Sequence, residues 1–133
     1  MIQTIPVQTQ NQQLLEITQQ AQLILEPATE SSGLLTLFIR HTSASLLVQE
    51  NADPSVQTDL LNWMNHLVPE NQPQFTHTLE GPDDMPAHIK SMLTQTSIAI
   101  PFERRRLMLG TWQGIFLFEH RRGHHQRQII AHL

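Results

Sequence analysis

The chain contains no cysteine. That excludes a disulfide framework, a thiolate nucleophile and a thiolate metal site, and it suits a reducing compartment. No apolar run approaches the roughly 20 residues needed to cross a bilayer. The opening residues Met1-Ile2-Gln3-Thr4-Ile5-Pro6 lack a basic stretch followed by an apolar one, so no signal peptide is predicted. The expectation is a soluble, cytoplasmic protein with no membrane partner. Positive charge is scarce as well: eight Lys and Arg stand against twelve Asp and Glu, for a net charge of -4. That argues against general nucleic-acid binding. There is no repeat, no low-complexity block, no Gly-rich phosphate loop and no Asp-rich diphosphate motif.

What is present is a chain of 133 residues with 39% hydrophobic content, enough for one domain over residues 1–133 with its own core. Two domains would each be too small to bury much. Five of the basic residues fall in two short clusters, Arg104-Arg105-Arg106 and Arg121-Arg122, which leaves room for a local anionic ligand. Eight histidines are a high count, and imidazole is the side chain best suited to proton transfer and metal binding near neutral pH.

The pattern predicts strands at Ile2–Val7 and Leu14–Ile17, with the Gln-rich segment 8–13 in or around the turn between them. Thr18 is placed to cap a helix whose apolar residues Ala21, Ile24, Leu25 and Ala28 follow helical spacing. After the Ser31-Ser32-Gly33 turn, Leu34–Ile39 reads as a buried strand and Ser45–Val48 as a shorter one. Asp53-Pro54 starts a helix, with an Asp cap and Pro at the first position. Its stripe is Val56, Leu60, Met64, Leu67 and Val68. A second capped helix begins near Asp84, with Ile89, Met92 and Leu93 as its predicted buried side. Strands follow at Ile98–Phe102, Leu107–Leu109, Gly114–His120 and Gln128–Leu133. This order defines an α+β fold with a mixed or antiparallel sheet.

Five polar segments carry chemistry. His41-Thr42-Ser43-Ala44-Ser45 stands where a buried strand runs out, a place from which scaffolds present side chains; a polar turn would look the same. Glu50-Asn51-Ala52-Asp53-Pro54 puts two carboxylates and an amide before a helix N-terminus; capping accounts for Asp53 but not for Glu50. The richest runs from His77 to Lys90. With a helix beginning near Asp84, Asp84 and His88 share one face at i and i+4, and His77 can fold back toward it. A carboxylate can hold one imidazole nitrogen and free the other for a metal or a proton. Imidazoles with carboxylates suit zinc or another first-row ion, whereas carboxylates with water suit magnesium. Gly110-Thr111-Trp112-Gln113-Gly114 is a tight turn that either approaches a ligand or a second subunit, or is a hairpin with Trp112 covering the core. In the last segment, Glu119 to Arg127, Arg121 follows an apolar strand and is placed to grip a phosphate. His124 and His125 read as a bland tip.

Together these segments resemble the YjbQ family, also called the secondary thiamine-phosphate synthase family. The matching stretches are 41–44, 50–54 with Asp59, 80–90, Ile100-Pro101 and 109–115, leading to Glu119 and Arg121. Two departures stand out: Arg105 replaces a usual hairpin Gly, and Gln49 replaces a common Asn. The resemblance implies a compact α+β fold with a β-sandwich-like core and about three helices. It also implies a homotrimer whose polar blocks line a pocket near a subunit boundary. The activity credited to some members joins hydroxymethylpyrimidine diphosphate to a thiazole phosphate and releases diphosphate. On that reading a divalent ion, zinc or magnesium, is held by His41, His77 and His88, with Asp84 beside it. Glu50 and Asp53 hold magnesium through water, and Arg121, Lys90, Thr42 and Ser43 contact phosphate. His41, Asp84, His88 and Glu50 are then the expected catalytic set. Two alternatives are a metal-dependent enzyme acting on another small phosphorylated metabolite, and a non-enzymatic trimer that binds a metal or metabolite.

Overall fold

A computed structural model describes residues 1–133. Its elements in chain order are β1 (Ile2–Thr9), β2 (Gln13–Glu16), α1 (Thr18–Ile24), β3 (Ser32–Ile39), β4 (Ala44–Glu50), α2 (Pro54–Leu67), α3 (Asp84–Leu93), β5 (Ser97–Glu103), β6 (Arg106–Leu107), β7 (Gln113–Glu119) and β8 (His125–His132). Five strands form one sheet in the order β1-β8-β3-β5-β6, and three form a second in the order β2-β7-β4. Every pairing is antiparallel. β1 and β2, though joined by a short turn, belong to different sheets.

The two sheets face each other. Ile5, Leu35, Leu37, Ile100 and Ile129 of the larger sheet meet Ala44, Leu46, Ile115 and Leu117 of the smaller one, with Ile17, Ala21, Ile24 and Leu25 closing one end. A second apolar cluster lies on the other face of the small sheet: Leu14, Phe116 and Phe118 pack under Met64 and Val68. β7 is therefore buried on both sides, which is why residues 115–118 read as a continuous apolar run. The outer face of the large sheet has no cover.

That asymmetry corrects several expectations. β3 is not wholly buried: it alternates, with Leu34 57% and Phe38 46% exposed on the open face. Thr18 does not cap α1; Ile17 holds the cap position, and the Thr18 hydroxyl accepts from Ile115 N–H and donates to Glu16. α1 stops at Ile24 and continues through tight turns to Ala28, ahead of which Pro27 prevents further helix. The expected strand at Leu107–Leu109 is only Arg106–Leu107. α2 begins as predicted, with the Asp53 carboxylate accepting from Ser55 N–H at 2.9 Å. Of its stripe only Met64 is buried within the helix, with Val68 just beyond, and Leu67 is exposed. The buried side of α3 is not Met92 and Leu93, which are exposed, but Asp84, Ala87, Lys90 and Ser91. Buried polar groups on that face need partners, and these partners make the site.

Candidate functional site

The N-terminus of α3 lies against the start of β4 and the end of β7. His77, on the connection ahead of the helix, turns back so that its Nε2 lies 2.7 Å from Asp84 Oδ2. One turn along, His88 Nε2 lies 3.2 Å from the same oxygen. The two imidazole rings are 5.4 Å apart. Ligand atoms of His77, Asp84 and His88 all fall within 4.8 Å of one another.

The surroundings fix this geometry. His88 Nδ1 donates to the Thr42 carbonyl at 3.1 Å, so its other nitrogen is aimed at Asp84. Asp84 Oδ1 is held by Arg121 Nη1 at 3.1 Å, leaving Oδ2 for the histidines. Arg121 also binds Asp83 through Nε and Nη2, both at 3.3 Å, and donates to the Glu80 carbonyl at 2.8 Å. Asp83 further accepts from Arg122 N–H at 2.9 Å. Burial would raise the Asp83 pKa, but the Arg121 and Arg122 hydrogen bonds outweigh it and bring it below the usual carboxylate range. The Asp83 hydrogen bonds likewise raise the Arg121 pKa. Arg121 thus clamps the loop before α3 to the end of β7.

The remaining predicted residues fall in three groups. His41 is exposed at the rim, its Nδ1 accepting from Ser43 N–H at 3.0 Å. It lies outside the three-residue cluster, near enough to His88 for their charges to interact. Lost hydration, with the Arg127 charge, keeps its pKa below the ordinary histidine value. Thr42 meets the site through its carbonyl, and buried Ser43 through its backbone. Lys90 is not at the cluster: it is buried, and its ammonium donates to Asn65. Burial is the main cause of its lowered pKa.

Glu50 and Asp53 are far from all of these. Ala44 pairs with Glu119 at one end of the small sheet, and Glu50 pairs with Gln113 at the other, about 20 Å away at strand rise. Asp53 caps α2 there, and one Glu50 oxygen is enclosed without a partner. The Gly110–Gly114 turn shares that end. Gly114 packs tightly there: a Cβ would meet Asn51 Cβ at 3.0 Å and displace the Glu16 carboxylate, whose Oε2 would lie 2.6 Å away. Trp112 is 65% exposed and covers no core.

Sequence reasoning missed the support beneath the site. Glu119, fully buried, takes two bonds from Arg127 at 2.7 and 2.8 Å, one from the Thr9 hydroxyl at 2.6 Å and one from Arg121 N–H at 3.1 Å. Burial raises its pKa, and the Arg127 and Thr9 bonds more than reverse that. His120 is buried as well, with Nε2 2.9 Å from Ser45 Oγ and Nδ1 without a partner. The available signal was an apolar run ending directly in a charge and an imidazole.

The molecule is thus a two-sheet antiparallel α+β protein carrying a His–Asp–His cluster at the mouth of one helix. The chain belongs to the family described as UPF0047 protein YjbQ-like, whose pattern matches residues 3–133. It is 50% identical over 127 residues to UPF0047 protein sll1880 of Synechocystis, covering 96% of this chain and 86% of that one. It is 48% identical over 101 residues to UPF0047 protein YjbQ of Escherichia coli O157:H7, covering 76% and 72%. Among solved structures, the conserved hypothetical protein TT1486 of Thermus thermophilus superposes with a TM-score of 0.88 at 37% identity, over 98% of both chains. A YjbQ/UPF0047 protein of Clostridium acetobutylicum gives 0.88 at 31% identity, again over 98% of both. No helix is long and apolar enough to cross a membrane.

Proposed function

We propose that this protein is a metal-dependent enzyme acting on a small phosphorylated metabolite, with His77, Asp84 and His88 as the metal ligands. The observation that carries this reading is the convergence of two imidazole nitrogens on one carboxylate oxygen. With His88 Nδ1–H held by Thr42, a hydrogen bond from Nε2 to Asp84 would require a proton on both nitrogens. A cation between the three atoms removes that requirement. Two imidazoles and one carboxylate with an open side match catalytic zinc sites and favour a first-row ion over magnesium. When bound, such an ion polarises a phosphoryl oxygen or activates water. The chain's own residues do the positioning: Thr42 fixes the His88 tautomer, and Arg121 fixes the Asp84 rotamer. His41, on the rim, is placed to move a proton.

A particular reaction within this class is the transfer that joins hydroxymethylpyrimidine diphosphate to a thiazole phosphate. The phosphate contacts expected of Arg121 and Lys90 are weakened as support for it, because both side chains are engaged elsewhere in the chain. The homotrimer belongs to the same proposal. Its motivation is the uncovered outer face of the large sheet, where Leu34 and Phe38 are exposed.

Zinc affinity measured by competition with a chromophoric chelator tests the centre. His77→Ala, Asp84→Asn and His88→Ala should each weaken binding at least a hundredfold, and His41→Ala less than threefold. Stoichiometric zinc held equally well by His88→Ala would end the assignment. Incubation of the zinc-loaded protein with both thiamine precursors tests the transfer; no product means another phosphorylated substrate.

A further inference from the structure

The connection from α2 to α3, residues 68–83, is longer than the about 12–15 residues beyond which structureless loops in compact domains are uncommon and usually functional. It is nonetheless an ordered piece. Asn71 turns the chain with a left-handed backbone (φ 58°), a conformation asparagine tolerates. Gln72 folds its amide onto the Pro69 carbonyl at 2.9 Å, and Phe75 N–H returns to the Gln72 carbonyl at 3.1 Å. Pro69, Pro73 and Pro82 fix φ along it. Arg121 pins its far end at the Glu80 carbonyl.

Between this loop and the first turn of α3 lies a cavity of about 370 Å³ that opens beside His77. Phe75, Pro82 and Met85 supply an apolar wall, with the amides of Asn71 and Gln72 on its border. None of its eight lining residues is Asp, Glu, Lys or Arg, and His77 alone among them titrates. The guanidinium nearest to it, Arg121, is already bound to Asp83 and Asp84. A phosphate placed here would find that guanidinium, whose Nη2 comes close to Gly81 of the lining, already paired with two carboxylates. An aromatic ring would find a phenyl face, a thioether and a proline ring, contacts that favour flat apolar groups. A cavity of about 150 Å³ holds benzene, so this one has room for a ring with substituents. The Asn71 amide can then donate to and accept from a polar edge, whereas that of Gln72 is engaged by the Pro69 carbonyl and by Gln74.

We infer that this cavity is a binding subsite for an uncharged planar ring, the part of a small molecule that its polar end does not supply. The inference rests on the proposed function only for where that polar end goes: from a ring seated against Phe75, a substituent passing His77 reaches the His77–Asp84–His88 cluster. The loop then selects the ring and the histidines handle the charged group. The same chain connection contributes to both, because His77 is at once the last ring contact and the first member of the cluster.

Benzamide, benzoate and inorganic phosphate serve as probes, each titrated into zinc-loaded and chelator-treated protein while backbone amide chemical shifts are recorded. Benzamide should move the amides of residues 71–85 with equal affinity in both preparations. Phe75→Ala and Asn71→Gly, which keeps the left-handed turn while removing the amide, should each weaken it at least tenfold, with spectra unchanged outside the loop. Benzamide shifts elsewhere in the protein, no shifts at all, or unchanged affinity in Phe75→Ala and Asn71→Gly would overturn the subsite, as would phosphate perturbing the loop of chelator-treated protein. Benzoate reports the other reading separately: it should tighten at least fivefold on zinc loading. If it does not while benzamide still binds the loop, the metal assignment fails and the ring subsite stands.

Discussion

His120 is the residue at which burial and chemistry conflict most. It is enclosed between Ser45 and the ring of Phe118, whose centroid is 4.4 Å from its own, and one nitrogen has no partner. Burial, with the Lys90 charge, lowers its pKa from 6.5 to about 3. The sign follows directly. The unfolded chain binds a proton near pH 6.5 and the folded one does not until about pH 3, so stability is full above pH 6.5 and falls as pH drops through that window. From pH 6.5 to 4.5 the loss is roughly 2–3 kcal/mol at 1.36 kcal/mol per unit. Urea unfolding across this range should show that slope in the wild type and a much flatter one in His120→Gln, which keeps a bond to Ser45 without titrating. An identical slope in both would remove His120 as the cause. Glu119 gives a separate test. Converting it to Gln leaves Arg127 buried without its counter-charge, which should cost about 3–5 kcal/mol. Lys90, by contrast, is held by a neutral amide, and Lys90→Met should cost much less than Glu119→Gln in the same unfolding assay.

At the scale of elements, the β5–β6 hairpin carries visible strain. Its tip, Arg104-Arg105, has φ of 51° and 60°, the left-handed pair of a two-residue turn that ordinarily takes Asn-Gly. Gln22 holds this conformation from the side, donating to the Arg105 carbonyl at 2.7 Å and accepting from Leu107 N–H at 3.1 Å. Arg105→Gly should relieve the backbone at the cost of a looser unfolded chain, a net gain of about 0.5–1 kcal/mol. Thermal unfolding should rise by ~2–4 °C, and an unchanged or lower midpoint would show the tip to be unstrained. Elements with local signals were legible in the sequence: Asp53-Pro54 marked a helix start, and Gly114–His120 read as a strand because β7 is apolar on both faces. The buried face of α3 was not. Its polar residues are satisfied by Asn65, 25 positions from Lys90, and by Arg121, 37 positions from Asp84. A rule that puts apolar residues inside chooses Met92 and Leu93 instead. The Asp84–His88 pair was legible because i and i+4 is a local relation, and His77 because it is only seven residues from Asp84. That His41 stays outside the cluster depends on how the connection from β3 to β4 meets α3 at Thr42 and His88, which local spacing does not encode.

For the whole molecule, the sandwich is covered on one side only. α2 and α3 shield the small sheet, whereas the outer face of the large sheet exposes Ile2, Leu34 and Phe38. The registers bring them into one patch: Phe38 pairs with Ile130, which pairs in turn with Thr4, and Leu34 pairs with Pro101. Apolar surface of this kind on a sheet usually meets another protein surface. The proposed homotrimer needs an interface, and this face is an apolar surface the fold leaves available without touching the His77–His88 cluster. A charge at its centre should therefore separate assembly from metal binding. Sedimentation equilibrium should give three times the 15.3 kDa chain mass for the wild type and the single-chain mass for Phe38→Glu. Zinc affinity should be equal in the two, since all three proposed ligands come from one chain. A wild type that sediments as a monomer removes the trimer from the proposal. A Phe38→Glu protein that stays trimeric moves the interface to another face, with the exposed Trp63 and Leu67 of α2 as the next apolar surface to charge.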